Sequence, residues 1–345
     1  MAEKLSKKLT LFDVYSVSTG AMFSSGFFLL PGLAAMETGN SVFLAYFAAG
    51  ILIIPSMLSV AELSTAMPKA GGAYYFLDRS LGPLIGTIGG LGSWVALIFK
   101  SAFALIGMGA YLTIFVDVPM LPLALVLTLV FGLLNIFGAK ETAILQRVLV
   151  GALVAIMAFF LIQGLNYIYL GDNTLPTLQE DNFFTNGING FISTIGLVFV
   201  SYAGLTKVAS IAEEVQNPDK VIPLGMILSL LTASVVYVVG VFILLKVLPA
   251  DTFFASLTPV ADGAEEIMSF LPGSSGVVLI VIAAIAAFAS TGNAGIMSAS
   301  RYPLAMSRDR LMGPMFSKIG KFETPHVAVI VTTLIMALVL ILFDV

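Results

Sequence analysis

The sequence predicts an all-α polytopic membrane protein. It reads as two inverted five-span repeats, truncated after span nine, with spans one and six discontinuous. Three observations predict this. Of 345 residues, 59% are apolar and 10% charged, and the mean hydropathy is +1.03; soluble domains carry roughly 25% charged residues. Nine apolar runs are long enough for the roughly 20 helical residues that cross a bilayer. Two of those runs, five apart, have small and polar residues at their centres, where a continuous helix is weakest.

The nine spans are Phe12–Glu37, Ser41–Met67, Leu81–Val116, Pro119–Gly138, Thr142–Leu170, Ile188–Ala212, Ile222–Leu248, Ser274–Met306 and Pro325–Phe343. They leave no room for a separate soluble domain, so residues 1–345 form a single transmembrane domain. Its first repeat covers residues 12–170. An incomplete second repeat of four spans covers 188–345 and includes an extracellular segment at 249–273. A fifth span is expected to complete that repeat, which makes the chain look truncated. The basic start Lys4, Lys7 and Lys8 runs straight into a full-length span, with no cleavable signal evident.

Charge placement orients the spans. With the N-terminus in the cytoplasm, thirteen of the sixteen Lys and Arg fall on the inner side: Lys4, Lys7, Lys8, Lys69, Arg79, Lys140, Arg147, Lys220, Arg301, Arg308, Arg310, Lys318 and Lys321. Lys246 is outside, and Lys100 and Lys207 lie within spans. The outer loop from Gly171 to Gly187 holds Asp172, Glu180 and Asp181 and no base. This is the positive-inside pattern, which fixes the N-terminus in the cytoplasm; the expected location is a plasma (inner) membrane.

Span one reads Gly20-Ala-Met-Phe-Ser24-Ser25-Gly26-Phe-Phe-Leu-Leu-Pro31-Gly32 across its centre, and span six has Ser201, Tyr202, Ala203, Gly204 and Thr206. Opened backbone at membrane depth survives only where it lines a cavity or is buried in protein. Interrupted spans five apart run in opposite directions, the pattern of an inverted repeat whose site lies where the breaks meet. Half-helix N-termini offer amides to an anion, and C-termini offer carbonyls to a cation. A zwitterionic amino acid suits that pair. Its carboxylate would meet the Ser25 and Gly26 amides beside the Ser24 and Ser25 hydroxyls; its ammonium would meet carbonyls of Met22, Val200 and Ala203.

Intramembrane lysines are candidate functional groups, which singles out Lys100 and Lys207 for coupling or fixed charge. Glu62, Glu213 and Glu214 read as structural or gate ion pairs with inner Lys and Arg, Arg301 among them. Asp13 and Glu37 flank span one and read as interfacial. In span eight, Ser290, Thr291 and Asn293 suit either helix–helix hydrogen bonding or, for the two hydroxyls with carbonyls of Gly20 and Phe23, a Na+ site. No cofactor is expected beyond a coupling ion, Na+ or H+. With no Cys and His326 as the sole histidine, thiolate and His-cluster metal sites and histidine proton relays are excluded. No hydrolase, zinc-peptidase or phosphate-loop motif is present, so the chain is not expected to be an enzyme. It has no basic patch for nucleic acid. The expected partners are a small-molecule substrate and the lipid bilayer, and the residues leave the oligomeric state open.

Four motifs, in order along the chain, carry a resemblance. Ser-Ser-Gly-Phe-Phe-Leu-Leu-Pro-Gly in span one resembles G-S-G-(I/V)-F-x-x-P of the amino acid–polyamine–organocation superfamily. Ala61-Glu62-Leu63 to Pro68, Gly71-Gly72 and Tyr74 resembles its A-E-L-x-x-x-x-P-x-x-G-G-x-Y. Glu213-Glu214-Val-Gln-Asn217-Pro218 to Pro223 resembles E-E-x-x-N-P-x-x-x-I-P, and Ser300-Arg301 to Arg308-Asp309 resembles S-R-x-x-x-A-M-x-R-D. The resemblance implies a LeuT-type fold, usually in twelve spans, and secondary-active amino acid transport. It implies substrate contacts at Met22, Ser25, Gly26, Val200 and Ala203. Ser24 stands where the family usually has Gly. The family's span-six aromatic gate aligns with Val200, so Phe199 or Tyr202 would substitute. The lysine of some proton-coupled members aligns with Leu153, and the acidic residue of many members with Thr206, followed here by Lys207. The expected function is import or exchange of a neutral amino acid by alternating access. The rivals are an inorganic-ion or organic-cation (polyamine) transporter on the same fold, or an amino acid sensor.

Overall fold

The apolar runs fold as helices whose ends fall at residues that cannot continue them. The computed structural model describes residues 5–171 and 183–343; Lys4 and the predicted outer-loop acids Asp172, Glu180 and Asp181 lie outside these. Span one is three pieces: α1 (Leu11–Met22), α2 (Ser25–Phe28) and α3 (Leu30–Thr38). Ser24 is extended between the first two, and Pro31 sits in the first turn of α3, where a missing amide costs nothing. Then come α4 (Val42–Ala66), α5 (Ala73–Leu81), α6 (Pro83–Leu112), α7 (Met120–Phe137) and α8 (Ala139–Tyr169). Gly82, at φ 86°, makes the turn between α5 and α6 in a conformation that a side chain would oppose.

The second half holds α9 (Gly187–Tyr202), α10 (Pro218–Val247), α11 (Ala250–Ala255), α12 (Pro259–Ile267), α13 (Ser275–Ala299), α14 (Arg301–Arg308) and α15 (His326–Leu342). Between α9 and α10 the chain winds into a 3₁₀ helix of 12 residues, Ala203–Glu214. Such helices rarely exceed three or four residues. The expected discontinuity of span six is therefore a change of winding at Tyr202–Ala203 rather than an open gap.

Among the described residues, seven helical stretches are long and apolar enough to cross a membrane. The two remaining predicted spans differ for physical reasons. Span one is cut at Phe23–Ser24, so α1 has only 12 residues, and α15 has 17. Large apolar side chains such as Leu52, Leu129, Leu231 and Leu334 are exposed on the outer faces of α4, α7, α10 and α15, a surface suited to lipid and not to water.

Each of the first four spans packs on the span five places later. α1 meets the 3₁₀ segment, α4 meets α10, α6 meets α13, and α7 meets α15. A twofold relation between the halves produces this pattern. The core is centred on the span-one break, where Phe23, Phe27, Phe28, Tyr46, Tyr202 and Tyr237 are buried together.

Candidate functional site

The break in span one frees main-chain carbonyls in a place without water, and buried acceptors must find donors. Three tyrosines from three other helices supply them. Tyr237 Oη donates to the Met22 carbonyl at 2.9 Å, Tyr46 Oη to Gly26 at 2.6 Å, and Tyr111 Oη to Phe28 at 2.6 Å. Tyr202 Oη in turn donates to the Tyr46 carbonyl at 3.0 Å. The tyrosines hold the broken strand open in a dry core.

The two breaks touch. A Cβ added at Gly26 would lie 2.5 Å from Ser201 Cβ, and one at Gly204 would collide with the main chain of Ala21 and Met22. Glycine at both positions lets spans one and six approach to backbone distance. Beside this contact lies a cavity of about 850 Å³. Met22, Ser24, Ser25, Gly26, Val200, Ser201 and Ala203 all line it, as do Lys100 and Lys207. The structure thus brings together most of the residues singled out for substrate and both intramembrane lysines.

Tyr202 and Phe199 stand apart from the rest. Tyr202 does not line the cavity; it turns into the core, 5.1 Å from the Tyr237 ring. Phe199 also lies away from it, packed against the apolar core. Neither takes the place of an aromatic gate. The Val200 carbonyl, expected to meet a substrate ammonium, is approached by Lys100 Nζ at 3.4 Å. Lys207 does not reach for a surface. It is 4% exposed, and its Nζ has no hydrogen-bond partner among the described residues.

The candidate Na+ ligands separate. Thr291 Oγ1 donates to the carbonyls of Gly20 at 2.7 Å and Phe23 at 3.0 Å, so three of the four groups meet. The Ser290 hydroxyl instead accepts from Gln146 Nε2. Three oxygens fall short of the shell that a hard cation needs. Ser290 belongs to a polar chain. Asn135 Nδ2 donates to Asn293 Oδ1 at 3.1 Å, and Asn293 Nδ2 donates to Gln146 Oε1 at 3.0 Å. Those contacts join α7, α13 and α8 by side-chain hydrogen bonds. Gln146 and Asn135 were not legible as partners, because nothing local marks them.

At the end of the bundle that holds the N-terminal segment, Arg301 forks onto Glu214 with contacts of 2.8 and 3.0 Å, both side chains buried. Arg308 pairs with Glu213 at 2.7 Å. Glu213 also accepts from the Leu5 and Ala70 amides, each at 3.1 Å, and Leu9 bridges to Val215. One acidic pair thereby joins the N-terminal segment, the turn after α4 and the end of the 3₁₀ helix. Glu62 makes no ion pair among the described residues, because it lies on an exposed face near the end of α4. Asp13, expected at the interface, is buried within the protein, bound by Arg147 and by the Thr10 cap.

A family model described as amino acid permease matches residues 9–344. This chain belongs to the amino acid permease family. It is 30% identical over 371 residues to the vacuolar cationic amino acid transporter 2 of Arabidopsis thaliana, covering 99% of this chain and 56% of that protein. It is 25% identical over 346 residues to the methylthioribose transporter of Bacillus subtilis and 26% identical over 352 residues to the branched-chain amino acid permease BcaP of the same organism. Each of those matches covers 94% of this chain and 72% of the relative. The chain spans about half the length of the Arabidopsis relatives it matches, 55% to 58%. The family and these relatives are transporters, not enzymes, and the chain is a multi-pass membrane protein. The substrates in the relatives' names differ in charge and kind.

Proposed function

We propose that this permease-family chain forms the substrate-handling core of a secondary-active amino acid transporter working by alternating access. The observation that carries the reading is the contact of two interrupted spans beside one cavity, with Ser25 and Gly26 at the start of α2 and Val200 and Ala203 of span six on its wall. Amides at a half-helix start suit a carboxylate, and carbonyls at a half-helix end suit an ammonium. The substrate is an amino acid without a cationic side chain, because Lys100 and Lys207 already bring positive charge to the wall. The Lys and Arg distribution supports an N-terminus in the cytoplasm, and the proposed location is a plasma membrane. A coupling ion, Na+ or H+, completes the proposal.

The test is a thermal-shift screen of the purified chain against the twenty amino acids, with and without Na+. A ligand at 100 times its dissociation constant stabilises by about 2.7 kcal/mol, a visible shift. Stabilisation that needs Na+ supports both the amino acid site and Na+ coupling. A Na+-independent shift moves the coupling to H+. A flat response to every amino acid refutes the reading.

A further inference from the structure

Three arginines elsewhere in this molecule are paired with buried acids. Arg301 has Glu214, Arg308 has Glu213 and Arg147 has Asp13. The two cavity lysines have none. Lys207 is buried with its Nζ unpartnered, and Lys100 touches only a carbonyl oxygen; neither enters an ion pair among the described residues. Both line the same cavity. The other polar side chains that share the lining carry hydroxyls, those of serines and of Thr206 and Tyr302. No carboxylate is among them. A buried ammonium without a counter-charge is costly in a membrane protein, and such groups mark substrate pathways. A ligand carrying negative charge would supply the missing partner.

We propose that the substrate is an α-amino acid with an acidic side chain, whose side-chain carboxylate lies between Lys100 and Lys207 while its α-groups meet the two breaks. This inference rests on the amino acid reading above and replaces the neutral substrate expected from the sequence. A hydrogen bond to a charged group exceeds one between neutral groups by roughly 1.4 kcal/mol, about tenfold in affinity. A substrate with a cationic side chain would add a third positive charge to the same wall.

The experiment measures dissociation constants of L-glutamate, L-aspartate, L-glutamine and L-asparagine on the purified full chain, in chloride and in chloride-free buffer. The acids are expected to bind about tenfold or more tightly than their amides. That ratio should collapse towards one in Lys207→Gln and return in Lys207→Arg. Amides binding as well as acids overturn the inference on the parent protein alone, with no variant needed, and leave the amino acid reading standing. Retention of the acid preference in both Lys207→Gln and Lys100→Gln also overturns it. Amide binding that requires chloride and is lost in Lys207→Gln places an inorganic ion on the lysines and overturns the substrate assignment. Failure of every amino acid to bind sinks both readings together.

Discussion

Replacing Tyr237 by phenylalanine removes one oxygen and nothing else. The ring keeps its contacts with Phe23 and Phe27, at 5.2 and 5.8 Å. What is lost is the 2.9 Å hydrogen bond to the carbonyl of Met22, the last residue of α1, whose carbonyl has no partner in that helix. Tyr237 and Met22 are both fully buried, so water is not at hand to replace the donor. Interhelical hydrogen bonds in membrane proteins average only about 0.6 kcal/mol, because the unfolded chain in lipid also finds partners. Here the unfolded span can close its own helix through Met22, so the loss falls on the native state. The cost should therefore approach that of an unpaired buried acceptor, about 1–3 kcal/mol. Equilibrium unfolding in detergent micelles, titrated with dodecyl sulfate, measures it. Tyr15→Phe is the control, since its hydroxyl meets only the Thr232 hydroxyl at 3.1 Å in a half-buried place; it should cost about 0.6 kcal/mol or less. If Tyr237→Phe costs no more than Tyr15→Phe, the tyrosines are not what holds the break open.

Three further outcomes follow from the same structure. Gly26→Ala puts a methyl group 2.5 Å from Ser201 Cβ and 3.1 Å from its Cα, so it should destabilise by about 1–3 kcal/mol and weaken ligand binding; a variant that unfolds at the parent's midpoint contradicts the close approach of the spans. Arg301→Met strands the buried Glu214 and should cost about 3–5 kcal/mol in the same titration, much of it recovered when Glu214→Leu is added; a single variant within 1 kcal/mol of the parent refutes the pairing. Burial raises the carboxyl of Asp262, in the α12 segment, above its ordinary value of 3.8, against the opposing hydrogen bond from Ser256. The folded chain then holds that proton more tightly than the unfolded chain, so stability falls as pH rises from about 3.8 through the raised value. Asp262→Asn should flatten that part of the stability profile; an unchanged slope refutes it.

The spans were legible because each apolar run is long and because the bases sort to alternate ends. Ser24-Ser25-Gly26 marked the first break, since three residues that disfavour helix sat where lipid demands one. What satisfies that break was not legible. Tyr237 and Met22 are 215 residues apart and Tyr111 and Phe28 are 83 apart, and a tyrosine in an apolar run looks like any other core aromatic. Asp13 was misjudged for the same reason: its partner Arg147 is 134 residues away, and position near a span end suggested an exposed site. Lys207 could be seen as an intramembrane charge, but not that its surroundings would lack an acid. Tyr202 and Phe199 were chosen by closeness to the break, whereas the rotation of α9 decides which side chains see the cavity.

The winding of Ala203–Glu214 has a geometric consequence. An α-helix advances 100° per residue, so a row of every third side chain drifts around its axis. A 3₁₀ helix has three residues per turn, and such a row stays in line. Ala203, Thr206 and Ala209 form one such row, and all three line the cavity. The overwound segment therefore rules a straight, shallow channel of small side chains along its length, where α winding would have swung the third of them out of line. A large side chain at any of these three positions would dam that channel, while one at Leu205 or Val208, both buried on another side, would not reach it.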